Sequence, residues 1–229
     1  MKIGVDAVLL GAWANVTGSR ILDVGTGCGV IALMCAQRNA DALIDAVDVD
    51  SDSILEATSN FARSPWSGRL KASLEDYLHI SHDNYDLIIS NPPYFNSGIS
   101  EPDCARLRAR HQASLSPSSL ISHGIRLLSP RGRIALIVPA DRENELIDVA
   151  TRYGLITKRV CRVQGHPQAP VKRVMLEFCK DSGIPEGSSS GYCGGNSSGM
   201  SEESLVLEVE SGVPTEAYRA LCRDFYLKF

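Results

Sequence analysis

Seven residues near the start of the chain constrain the fold more than any others. Asp23-Val24-Gly25-Thr26-Gly27-Cys28-Gly29 joins an apolar run over 19–24 to a helical stretch over 30–38. Glycines in such a loop let the backbone turn tightly and let a ligand approach it closely. The pattern then repeats. Apolar runs at 43–49, 69–74, 85–90 and 133–138 alternate with helical stretches at 51–63, 116–128 and 142–153, and two further strands are expected at 155–163 and 171–178. Strands alternating with helices predict a doubly wound α/β fold with a Rossmann-like, mostly parallel sheet. Ligands of such sheets bind beyond the carboxyl ends of the strands. Ser51 and Asp50 are both candidates to cap the second of these helices.

The chain has 229 residues, which suggests one sizeable domain plus an appendage. Between 182 and 201, 13 of 20 residues are glycine or serine, a composition that cannot bury a core and reads as a linker. The expected organisation is a main domain over 1–180, a linker over 181–203 and a tail over 204–229. In the tail a strand at 204–210 and a helix at 214–225 are expected to pack back on the main domain. The N-terminal apolar stretch through Trp13 has the look of a short leader, but Asp6 interrupts it and Lys2 is its one positive residue. It reads instead as an amphipathic helix leading into the first strand.

No apolar run is long enough to span a bilayer. Seven cysteines, an odd number with no CxxC spacing, suit a reducing compartment, taken here as the cytoplasm. The five histidines form no metal-ligand spacing, so no metal is expected. Charge is uneven. Residues 1–105 carry net −8, residues 106–173 net +9 and residues 174–229 net −5. So basic a middle in an acidic protein suggests contact with a polyanion. A monomer is the favoured state.

The loop itself points to a ligand class. The dinucleotide fingerprint G-x-G-x-x-G requires a third glycine where this chain has Val30. An acid at the strand end, Asp23, also suits a cation better than a phosphate. S-adenosylmethionine, a sulfonium with an amino-acid end, fits that combination. Asp48, 25 residues after Asp23 at the tip of the second strand, can accept from both ribose hydroxyls. Glu75 and Asp76 follow the third strand, and Asp76 is favoured to accept from an adenine amino group.

Asn91-Pro92-Pro93-Tyr94 directly follows the fourth strand. Two prolines fix the backbone and remove two N–H donors, leaving carbonyls to accept. The Asn91 side-chain oxygen and the Pro92 carbonyl can both accept from one planar amino group. Tyr94 offers a flat face for stacking a base, worth roughly 1–3 kcal/mol. Catalysis by such a site is mainly alignment and charge matching.

The DVGTGCG loop, the AVDVD strand end and the NPPY tetrapeptide resemble class I S-adenosylmethionine-dependent methyltransferases of the amino-methylating kind. More narrowly, residues 1–13, 88–95, 109–111 and 172–178 are similar to the bacterial tRNA(Val) adenine-N6 methyltransferases. The resemblance implies a seven-stranded sheet with one antiparallel strand, and modification of the adenine beside the anticodon. It implies that Asp23, Gly25, Gly27 and Gly29 shape the cofactor loop, that Asp48 holds the ribose and that Asp76 holds the cofactor's adenine. Asn91, Pro92, Pro93 and Tyr94 then form the catalytic turn, Asn91 also touching the cofactor, with Tyr94 and Phe95 against the target base. Arg108, Arg110 and His111, with Lys172 and Arg173, are expected to meet tRNA phosphates. In that family a basic and aromatic stretch usually precedes the position of Met1, and threonine usually stands where this chain has Val5. Two alternatives share the same motifs: a protein glutamine N5-methyltransferase acting on release factors, and a non-catalytic RNA-binding module.

Overall fold

The computed structural model describes residues 4–81, 84–92, 115–180 and 199–228. Helix α1 (Val5–Trp13) leads into β1 (Arg20–Val24), followed by α2 (Val30–Arg38), β2 (Leu43–Asp48), α3 (Ser51–Arg63), β3 (Leu70–Leu74) and β4 (Tyr85–Ser90). After residue 114 come α4 (Pro117–Leu127), β5 (Leu128–Pro139), α5 (Glu143–Arg152), β6 (Leu155–Gln164) and β7 (Val171–Lys180). The tail holds β8 (Ser201–Val206), β9 (Glu208–Glu210), β10 (Val213–Pro214) and α6 (Glu216–Cys222).

The main sheet runs β3-β2-β1-β4-β5-β7-β6-β8. All its neighbours are parallel except those of β7, which is antiparallel to β5 and β6. The order reverses between β1 and β4, so the switch point expected of a doubly wound sheet lies there. Among the described residues the sheet has eight strands rather than seven. The additional one is β8, which pairs with β6 in parallel register from Arg159↔Ser201 to Gln164↔Val206.

Successive strand residues face opposite sides of the sheet, and this sorts the core into two layers. Ile21, Ile44, Leu87, Ile89, Ala135 and Met175 face α1, α2, α3 and the tail. Leu22, Val47, Ile88, Leu136, Val174 and Phe178 face α4 and α5. Truncating any of the fully buried leucines, such as Leu10 or Leu120, would cost roughly 2–5 kcal/mol.

Local differences from the sequence reading have plain causes. Helix α1 is not amphipathic, because its residues from Ala7 to Trp13 are all buried, enclosed by α2 and α6. The cap of α3 is Asp50, whose carboxylate accepts from the Ser53 amide at 3.0 Å, and Ser51 is the first helical residue. Strand β5 begins at Leu128, earlier than its apolar stretch, because Leu128 pairs with Tyr85 across an irregularity in the ladder. The tail strand begins at Ser201 and ends at Val206, where the chain turns into the short β9–β10 hairpin. Tyr218 and Cys222 of α6 are buried in the first core layer.

Candidate functional site

Four consecutive strands of the parallel half, β3, β2, β1 and β4, end on one edge, and Gly25, Gly27, Asp48, Asp76 and Asn91 follow or stand at those ends. The glycine loop leaves β1 and is pinned to β2, since the amides of Gly25 and Thr26 both donate to the Val47 carbonyl, at 2.9 and 3.1 Å. Gly25 and Gly27 have φ of +69° and +56°, in the left-handed region that glycine tolerates. A Cβ on Gly25 would meet nothing within 4 Å, so this turn faces open space. Gly29 is glycine for another reason. Its φ is +83°, and a Cβ there would strike the Phe61 ring of α3. Gly29 therefore serves helix packing as well as the turn.

Asp23 lies beneath the loop and is fully buried. Its Oδ2 accepts from the Thr26 hydroxyl at 2.6 Å and the Ala32 amide at 3.1 Å. Its Oδ1 is buried with no partner among the described residues. Burial pushes its pKa up to about 7, and the charge of Asp48 adds to the rise, against the two hydrogen bonds that lower it.

Asp48, at the tip of β2, is half-buried. Its Oδ2 accepts from the Gly27 amide and its Oδ1 from the Asp50 amide, both at 3.0 Å. The Glu75 amide donates to the Asp48 carbonyl at 3.0 Å, which ties the end of β3 to the same point. Asp76 follows and caps a short turn, accepting from the Leu78 amide at 2.9 Å. Val49, beside Asp48, is an exposed apolar side chain on this rim. The sequence reading did not single it out, although an apolar residue after an acidic strand tip is a visible signal.

Asn91 and Pro92 leave β4 as Gly25 leaves β1. Asp23 and Ile89 are register partners, so Gly25 and Asn91 each stand two residues beyond a paired position. Asn91 is half-buried and Pro92 buried. Pro93, Tyr94, Phe95, Arg108, Arg110 and His111 lie outside the described residues.

Because β7 is antiparallel, its first residues reach this same edge, and Arg173 pairs with Pro139 at the end of β5. Lys172 is exposed there. Arg173 is not simply a free cation for phosphate, since its Nε donates to the Asp6 carboxylate of α1 at 2.8 Å. A groove of about 360 Å³ lies between α2 and α3, lined by residues including Cys28, Val30, Asn60 and Trp66. None of Asp23, Asp48, Asp76 or Asn91 lines it, so it is separate from this edge.

These residues fit S-adenosylmethionine. The orphaned Asp23 Oδ1 awaits a donor, the Gly25 turn is open to a close approach, and the acids at the strand tips suit a cationic nucleoside. Among the described residues no group of metal-binding side chains occurs, and no helix is long and apolar enough to cross a membrane.

Comparison with known proteins decides the family. The family model of the methyltransferase small domain matches residues 5–138. A tRNA1(Val) (adenine(37)-N6)-methyltransferase of Parabacteroides distasonis is 42% identical over 232 residues, covering all of this chain and 92% of the relative. The chain belongs to this methyltransferase family. Relatives of the same description in Trichodesmium erythraeum and Bacteroides fragilis are 37% and 38% identical, again covering all of the chain and 92% of each. Solved structures agree on the fold. A predicted O-methyltransferase from Agrobacterium tumefaciens superposes with TM-score 0.68 at 18% identity, covering 96% of each chain. Magnesium protoporphyrin IX methyltransferase from Synechocystis, solved with bound SAM, gives TM-score 0.53 at 20% identity over 76% of each chain.

Proposed function

We propose that this chain transfers a methyl group from S-adenosylmethionine to the N6 amine of an adenine in tRNA, the adenine beside the anticodon of a valine tRNA. The observation that carries the reading is the full-length likeness to relatives so described, at 36–42% identity. The edge where Gly25 and Asn91 emerge side by side supplies matching chemistry.

When bound, S-adenosylmethionine supplies an electrophilic methyl on a cationic sulfur. The chain's own residues then have distinct tasks. The open Gly25 turn and buried Asp23 receive the amino-acid end, Asp48 the ribose and Asp76 the adenine, with Val49 against a ring face. The Asn91 side-chain oxygen and the Pro92 carbonyl accept from the two N–H groups of the target amine, which turns its lone pair toward the methyl. Pro93 stiffens that turn, while Tyr94 and Phe95 stack on a base taken out of the anticodon loop, which is easier than opening a duplex. Lys172, with Arg108, Arg110 and His111, meets phosphates, and Arg173 contributes charge to that edge while holding α1. The free thiols of Cys28, Cys35, Cys161 and Cys222 suit a cytoplasmic enzyme.

The test is direct. The chain is incubated with methyl-labelled S-adenosylmethionine and unmodified total tRNA, and the tRNA is digested to nucleosides. Label in N6-methyladenosine is the expected result. Label confined to another nucleoside, or transfer only to a release-factor glutamine, overturns the reading.

A further inference from the structure

The switch point of the sheet contains a bond that the proposed roles do not use. Strands β1 and β4 are paired through Ile21↔Leu87, Leu22↔Ile88 and Asp23↔Ile89, and there their ladder ends. Each remains paired with its outer neighbour one residue further, Val24 with Val47 of β2 and Ser90 with Leu136 of β5. The crevice therefore opens between Val24 and Ser90. Across that opening the Ser90 hydroxyl donates to the Val24 carbonyl at 2.8 Å. Ser90 is fully buried. It is also the one polar residue in the otherwise apolar run from Leu87.

We propose that Ser90 is a positioning residue for methyl transfer, its hydroxyl fixing the width of the crevice between the cofactor loop and the amine-holding turn. The proposal rests on the reading of Asn91 as the residue that holds the target amine. The next residue after Val24 is Gly25, and the next after Ser90 is Asn91. The bond thus spans the strand ends from which the two halves of the site emerge. A side-chain bond replaces the backbone rung that strand divergence has removed. Its length and direction set how far the donor side stands from the acceptor side. Displacement of about 1 Å between reacting groups can lower a rate about 100-fold, so this separation is where a small structural element has a large kinetic effect. Neither cofactor affinity nor tRNA affinity depends on that width to the same degree, because each ligand's main contacts lie on one side of the crevice.

The experiment compares two pairs of variants that differ in the hydroxyl. Wild type is set against Ser90→Ala, and Ser90→Thr against Ser90→Val, the second pair being nearly equal in shape so that crowding cancels. Single-turnover methylation of unmodified valine tRNA is measured at saturating S-adenosylmethionine, alongside calorimetric binding of S-adenosylhomocysteine, tRNA binding and thermal unfolding. Within each pair, loss of the hydroxyl should slow the single-turnover rate about 10–100-fold while both dissociation constants change less than about threefold. Equal rates within both pairs overturn the proposal. So does a loss of rate matched by an equal loss of cofactor affinity, which marks a merely structural role. A wild-type protein that makes no N6-methyladenosine overturns the underlying reading instead, before any variant is compared.

Discussion

The Gly27 amide donates to the Asp48 carboxylate at 3.0 Å, joining the glycine loop to the tip of the neighbouring strand. One carboxylate thus orders the loop and stands where a ribose is expected. The Asp48 side chain also takes the Asp50 amide, so its orientation is fixed before any ligand arrives. Hydrogen bonds to a charged group are worth about 1.5–3 kcal/mol. Asp48→Ala should therefore weaken S-adenosylhomocysteine binding about 10–100-fold by calorimetry. Asp48→Asn, which keeps an acceptor for Gly27, should lose less. Equal affinity in all three proteins would remove Asp48 from the cofactor site.

Asn91 is expected to act on the other substrate. Asn91→Ala removes the side-chain acceptor from the turn after β4 while leaving the loop after β1 intact. Single contacts that align or stabilise a reacting group are worth about 100–1,000-fold in rate. Methyl transfer to tRNA should fall by that amount, with cofactor affinity unchanged. A matching loss of cofactor affinity would reassign Asn91 to the cofactor.

The Asp23 carboxyl should impose a pH dependence. Its ordinary pKa is 3.8 and burial pushes it up to about 7. Between those values the folded state holds more protons than the unfolded one, so stability falls as pH rises. The contribution is fully present below about pH 4 and is lost as pH passes through 7. Asp23→Asn, similar in shape and never ionised, should flatten that slope in urea unfolding measured from pH 5 to 8. Bound S-adenosylmethionine, a cation, should favour the ionised carboxyl, so affinity should climb with pH up to about 7 and then level off. The Asn variant should show no such climb.

Fold class and the loop's position were legible because apolar runs and glycines report backbone demands directly. The acids Asp48 and Asp76 were placed by their positions at strand tips, and both stand there. Other features were less visible. The pairing of Arg173 with Asp6 joins residues 167 positions apart, and sequence showed only a cation near other cations. The eighth strand was read as part of an appendage, because a polar segment such as Ser201-Glu202-Glu203-Ser204 carries little apolar signal. It joins the sheet by pairing with β6 and through ion pairs from Glu202 and Glu203 to Arg162 and Arg159. Helix α1 lacked a polar face because the tail and α2 enclose it, which no local pattern reveals.

That enclosure gives the last prediction. The Arg159 guanidinium lies 4.1 Å from the centre of the Trp13 ring. It also meets Glu203 of β8 at 3.0 Å and Glu177 of β7 at 3.8 Å. Glu203 in turn accepts from the Trp13 indole at 3.0 Å. One arginine and one glutamate therefore latch the tail strand to α1. Glu203 is partly exposed, so Glu203→Ala should cost about 1–2 kcal/mol. Arg159→Ala should cost more, about 3 kcal/mol, because among the described residues it leaves the buried Glu177 carboxylate with only the 3.9 Å approach of Arg133 as an ion-pair partner. The double variant should cost less than the sum by about 0.5–1 kcal/mol, since both changes break the same latch. Urea unfolding followed by Trp13 fluorescence, in a Trp66→Phe background, measures all three. Strict additivity would mean that β8 and α1 are held independently.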